Sequence, residues 1–78
     1  AFSELNDPID QLERFTEQVL ASLPKQQQLV YRMSRQQDLS YDEIAEELNI
    51  SRNTVKNHLV SALKTLRTQL QKAFSILY

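Results

Sequence analysis

Between Ser40 and Leu66 the chain runs SYDEIAEELNISRNTVKNHLVSALKTL, a stretch with room for two amphipathic helices and almost nothing between them. Ser40 is placed to cap the first helix, and Glu43, three residues on, to reach back to the cap amide, a capping box that satisfies two otherwise unpaired donors. Tyr41, Ile44, Ala45 and Leu48 recur at helical spacing and predict the buried stripe. Asn49 predicts the stop after Leu48, since asparagine enters a left-handed conformation at low cost. Ile50 is expected to point back into the core. Ser51 then caps a second helix whose Val55, Leu59, Ala62, Leu63 and Leu66 again keep to one face. The pattern is a helix-turn-helix, with the small side chain of Ala45 where the two axes cross most closely.

The second helix shows solvent a polar face of Arg52, Asn53, Lys56, Asn57, Lys64 and Arg67, and the N-terminal residues of such a helix are those that meet base edges in a major groove. The competing reading is two ordinary helices of a small bundle with their charges turned to water. Net charge is −1, which taken alone argues against a nucleic-acid partner. The charges are segregated, however. From Ser51 onward stand Arg52, Lys56, Lys64, Arg67 and Lys72 with no acid, a net of +5, whereas the preceding part holds all ten acids against four basic residues, a net of −6. A fold that turns the second helix outward presents a positive stripe in spite of the acidic average.

The remaining counts exclude chemistry. The chain has no cysteine, hence no disulfide frame, thiolate nucleophile or zinc knuckle, which fits a reducing cytoplasm. One histidine cannot build a multi-histidine metal site, and with no glycine there is no phosphate-cradling loop, so no cofactor or metal is expected. Glu43, Glu46 and Glu47 form a negative patch without a paired base, and enzyme activity is not expected. No apolar run approaches the roughly eighteen residues a membrane span requires. With 78 residues the chain is read as one domain over residues 1–78, near the small end of what folds unaided. It opens at Ala1 without methionine, which predicts a domain cut from a longer protein or a processed terminus.

Residues 1–6 lack a clear period and are expected to be a frayed lead-in or linker remnant. Asp7-Pro8 is a helix start, and Ile9, Leu12, Thr16, Val19, Leu20 and Leu23 follow at spacings of three and four, with Phe15 on the shoulder of the stripe. Leu23-Pro24 breaks the pattern and opens a second helix, from Pro24 to about Gln36, with Leu29, Val30 and Met33 inward and Gln26, Gln27 and Gln28 outward. Leu39 is placed to staple the start of the third helix. The expected fold is therefore all-α: four helices, no strand and no wing, ending in a long C-terminal recognition helix. Leu63, Leu66, Leu70, Phe74 and Leu77 continue its stripe for about 25 residues, roughly 38 Å. Its end either packs back on helix one or leaves Leu70, Phe74, Ile76, Leu77 and Tyr78 as an apolar surface for a partner protein or a second copy.

Leu23-Pro24 with Met33-Ser34-Arg35, LSYDEIAEELNIS from Leu39 to Ser51, and TVKNHLVSALKTLR from Thr54 to Arg67 together resemble region 4, the C-terminal domain, of bacterial RNA polymerase sigma factors of the extracytoplasmic-function group. The resemblance spans Leu23 to Arg67 and extends more weakly back to Pro8. It implies a domain that reads the −35 promoter element in double-stranded DNA, docks on the β flap of RNA polymerase core, and is open to competition by an anti-sigma factor. The family often has glycine where Asp38 and Asn49 stand; both replacements tolerate a left-handed backbone. Thr54-Val55-Lys56-Asn57-His58 is shared with LuxR-like helix-turn-helix output domains, which usually close the recognition helix soon after a glycine-containing stop. Here the helix runs on through Leu66-Arg67. A helical protein-interaction module that binds no DNA, gripping through the apolar tail, is the reading from a different class.

On the promoter reading Arg52, Asn53, Lys56 and Asn57 face the groove, the basic residues as donors to guanine O6 and N7 and the asparagines as partners for adenine N6 and N7. For Arg52 and Lys56 the plainer role is phosphate contact alone. His58 borders the exposed face, either packing between helices or donating to a phosphate. Ser40, Tyr41 and Thr54 stand at the two helix N-termini, where amides and dipoles favour a phosphate. Lys64 and Arg67 supply field more than specificity.

Overall fold

A computed structural model describes residues 8–74. Four helices follow in order, α1 (Pro8–Ser22), α2 (Lys25–Arg35), α3 (Tyr41–Leu48) and α4 (Arg52–Phe74), and there is no strand among the described residues. The expected linker remnant at residues 1–6, the Asp7 cap and the apolar tail at Ile76, Leu77 and Tyr78 lie outside the described residues, as does the side chain of Phe74.

The joints follow the local chemistry. Pro24, with φ −52° and ψ 145°, is the N-cap of α2 and stands just before its first turn. Among the described residues two take positive φ, Asp38 and Asn49, each at 56°. These are the two positions where glycine is frequent in the resembling family. Asn49 closes α3: its own N–H donates to Glu46 O at 3.3 Å, and that of Ile50 reaches Ala45 O at 3.0 Å, the wrapped stop a left-handed residue permits. The capping box of α3 is complete, with Glu43 N–H donating to Ser40 Oγ at 3.1 Å and Ser40 N–H to Glu43 Oε1 at 2.8 Å.

Two apolar clusters hold the helices. Val30 of α2, Ile44 of α3 and Val55 and Leu59 of α4 form one, roofed by Leu39, Tyr41, Ala45, Leu48, Ile50 and Leu63. Val19, Leu20 and Leu23 at the end of α1 form the other with Ala62 and Leu66 of α4. In the second cluster α1 packs on the middle of α4, at Ala62 and Leu66. The inner stripe of α1 is shifted from the expected one. Leu12 is 42% exposed and Phe15 packs on the core, because α1 meets α4 through its C-terminal half. Gln27 and Gln28, expected outward, are half-buried. Gln28 Oε1 accepts from Arg32 Nε at 3.4 Å.

Arg32 also clasps α1. Its Nη2 donates to Glu17 Oε1 at 2.8 Å and its Nη1 to Glu17 Oε2 at 3.3 Å, a bidentate pair across two helices. This hydrogen bonding, helped by the arginine charge, holds the Glu17 carboxyl below its ordinary value, and the Ser40 N–H and hydroxyl do the same to Glu43. A carboxyl whose pKa is lower in the folded chain contributes stability above its unfolded value, and that contribution is lost as pH falls through the lowered folded value. Thermal melts below about pH 4.5 should therefore show the midpoint falling with acid, and the fall should be shallower in Glu17→Gln, Glu43→Gln. An unchanged slope in that double variant would assign the acid sensitivity to other carboxylates.

Candidate nucleic-acid interface

The site is built on α4, and Ser51 sets its start. Thr54 N–H donates to Ser51 Oγ at 3.0 Å, and the two hydroxyls lie 2.8 Å apart. No acid stands in the first turn, so the positive end of the helix dipole is left uncompensated by carboxylates of its own. Val55, Leu59, Ala62 and Leu66 are buried against the other three helices. That burial fixes the rotation of α4 about its axis, and Arg52, Asn53, Lys56, Asn57, Lys64 and Arg67 all come out on exposed surface.

At the N-terminal end, Tyr41, Arg52, Asn53 and Lys56 line a shallow depression of ≈ 500 Å³. The guanidinium of Arg52 lies 6.0 Å from the centre of the Tyr41 ring, within reach of a cation–π contact. Its Nε is 3.6 Å from Asp42 Oδ1. Both side chains of that ion pair remain largely in solvent.

The expected site residues thus divide by geometry. Arg52, Asn53, Lys56 and the half-buried Tyr41 come together, and Asn57 is exposed one residue beyond. Ser40 and Thr54 are occupied locally: both the amide and the hydroxyl of Ser40 serve the capping box, and the Thr54 amide and hydroxyl engage Ser51. His58 is half-buried on the flank of α4. Lys64 and Arg67 stand two turns and more along the rod and extend the positive surface. Asp42 was not singled out from the sequence. Its signal is its position, next to Tyr41 in the first turn of the helix that packs against the start of α4.

A short helix, a left-handed asparagine joint and a longer helix with a bare basic face define a helix-turn-helix protein of the DNA-binding class. The family model for Sigma-70, region 4 matches residues 16–74, and the chain belongs to that family. Searches of curated proteins and of solved structures returned no match. Membership carries DNA binding and recognition of the promoter −35 element by a sigma factor, and association with RNA polymerase. The family is one of non-enzymatic transcription-factor domains. Among the described residues no group of acids and histidine is arranged to hold a metal ion, and no helix is long and apolar enough to cross a membrane.

Proposed function

We propose that the chain is the −35-reading domain of a sigma factor of the extracytoplasmic-function group, with Arg52, Asn53, Lys56 and Asn57 reading base edges from the start of α4. The observation that carries this reading is the exposure of all four side chains on a helix whose opposite face is clamped in the core. Tyr41 flanks them, Lys64 and Arg67 add to the attractive field, and phosphates approach the open amides at the start of α4 rather than the occupied ones of Ser40 and Thr54. His58 serves packing first and a flanking phosphate second. The acidic α1 turns toward protein partners, the polymerase β flap and an anti-sigma factor competing for it. The extracytoplasmic-function assignment rests on the resemblance from Leu23 to Arg67.

The test is Lys56→Ala on duplexes selected from a randomised pool. A lysine that donates to a base should cost about 1–3 kcal/mol on the selected site, with little change on unrelated DNA. An equal loss on every duplex would reduce Lys56 to a phosphate anchor, and no loss on any would remove it from the interface.

A further inference from the structure

Asp42 is out of place on a surface that meets a polyanion. It stands in the first turn of α3 together with Glu43, whereas the first turn of α4 carries no acid. In helix-turn-helix docking the first helix crosses the nucleic-acid backbone, so an exposed carboxylate at its N-terminus faces phosphates and is repelled by them. Unlike Glu43, whose carboxylate is engaged in the capping box, Asp42 directs its own toward Arg52, with Oδ1 3.6 Å from Nε. The Tyr41 ring lies 6.0 Å from the same guanidinium. Two consecutive residues of α3 thus lie against the Arg52 guanidinium.

The way it is held matters. A carboxylate on the Nε side leaves the end-on pair of Nη groups open, and that pair matches the O6 and N7 acceptors of guanine. We infer that Asp42 is a positioning residue for sequence discrimination: it draws Arg52 away from indiscriminate phosphate contact and holds its free edge for a base. The inference rests on the promoter reading above. Binding to arbitrary duplex then carries the repulsion of Asp42 without return from Arg52, whereas binding to the selected site regains it through the base contact. The same carboxylate lowers affinity for arbitrary DNA and so raises the ratio between right and wrong sequences.

The experiment uses the 78-residue chain, a duplex it enriches from a randomised pool, and a scrambled duplex of equal length. For Asp42→Asn, affinity for the scrambled duplex should rise about two- to fivefold, the range open to an exposed ion pair, and the selected-to-scrambled ratio should fall accordingly. The salt dependence on scrambled DNA should steepen by about 0.9 in log–log slope as Arg52 takes up one phosphate. Asp42→Glu, which keeps the charge, should retain most of the ratio. In an Arg52→Ala background, Asp42→Asn should leave the ratio nearly unchanged, since coupled residues lose their joint effect once one is removed. Equal gains on both duplexes, or the same fall in ratio without Arg52, would overturn the positioning role while leaving the promoter reading intact. Failure of the unaltered chain to enrich any sequence would overturn the promoter reading, and this inference with it.

Discussion

Replacing Ile44 by alanine is expected to cost about 2–5 kcal/mol of stability, the range for truncating a fully buried aliphatic side chain where neighbours cannot collapse into the space. Ile44 is 0% exposed and meets Val30, Val55 and Leu59, one residue from α2 and two from α4, so the space left behind has walls on three helices. A chain of 78 residues has a total stability of only about 4–12 kcal/mol, and the substitution consumes a large part of it. The eight-residue α3 is too short to persist alone, and Ile44 is its fully buried residue, with Tyr41, Ala45 and Leu48 packed around the same cluster. Urea unfolding is the measurement: the midpoint should move to lower denaturant with little change in slope. Val60→Ala serves as the comparison, because Val60 is 54% exposed and its loss should fall within about 0.5 kcal/mol. A cost below about 1 kcal/mol for Ile44→Ala would mean that the α2–α3–α4 junction is not the centre of the core.

The second large effect concerns salt. If three or four of Arg52, Lys56, Lys64 and Arg67 neutralise phosphates, counterion release predicts a roughly 40- to 150-fold loss of duplex affinity between 50 and 200 mM monovalent salt. The net charge of −1 would lead one to expect no such dependence. It arises because the acids lie before Ser51 while Arg52, Lys56, Lys64 and Arg67 stand on the outer face of one helix. At these ionic strengths the screening length is about 7–14 Å, shorter than the roughly 35 Å length of the 23-residue α4, so a bound duplex feels the near stripe more than the far acids. Fluorescence anisotropy with a labelled duplex measures it. Weak binding that is equal at both salt concentrations would favour a helical protein-interaction module over a DNA reader.

Much of the helical framework can be read without coordinates, since its punctuation is local. The Ser40–Glu43 box, the Ser51 cap and the left-handed Asn49 depend on residues no more than five apart, and each is found where the local chemistry places it. Asp38 and Asn49 show the same principle in a chain without glycine: a left-handed turn accepts a short polar side chain, and the joint survives the replacement. The placement of α1 was less legible. Periodicity gives Leu12 and Val19 equal claims to the core, and only the position of α4 leaves the first at the edge and seals the second.

The order of charges, the caps and the apolar spacing were determined by the sequence alone, because each is a property of neighbours along the chain. Which side of α4 stays bare was decided by tertiary packing: Val55, Leu59, Ala62 and Leu66 are claimed by the other three helices, and the opposite face goes to solvent by exclusion. The meeting of Asp42 with Arg52, ten positions apart, belongs to the same class. No spacing rule brings those two charges together; the crossing of α3 over α4 does.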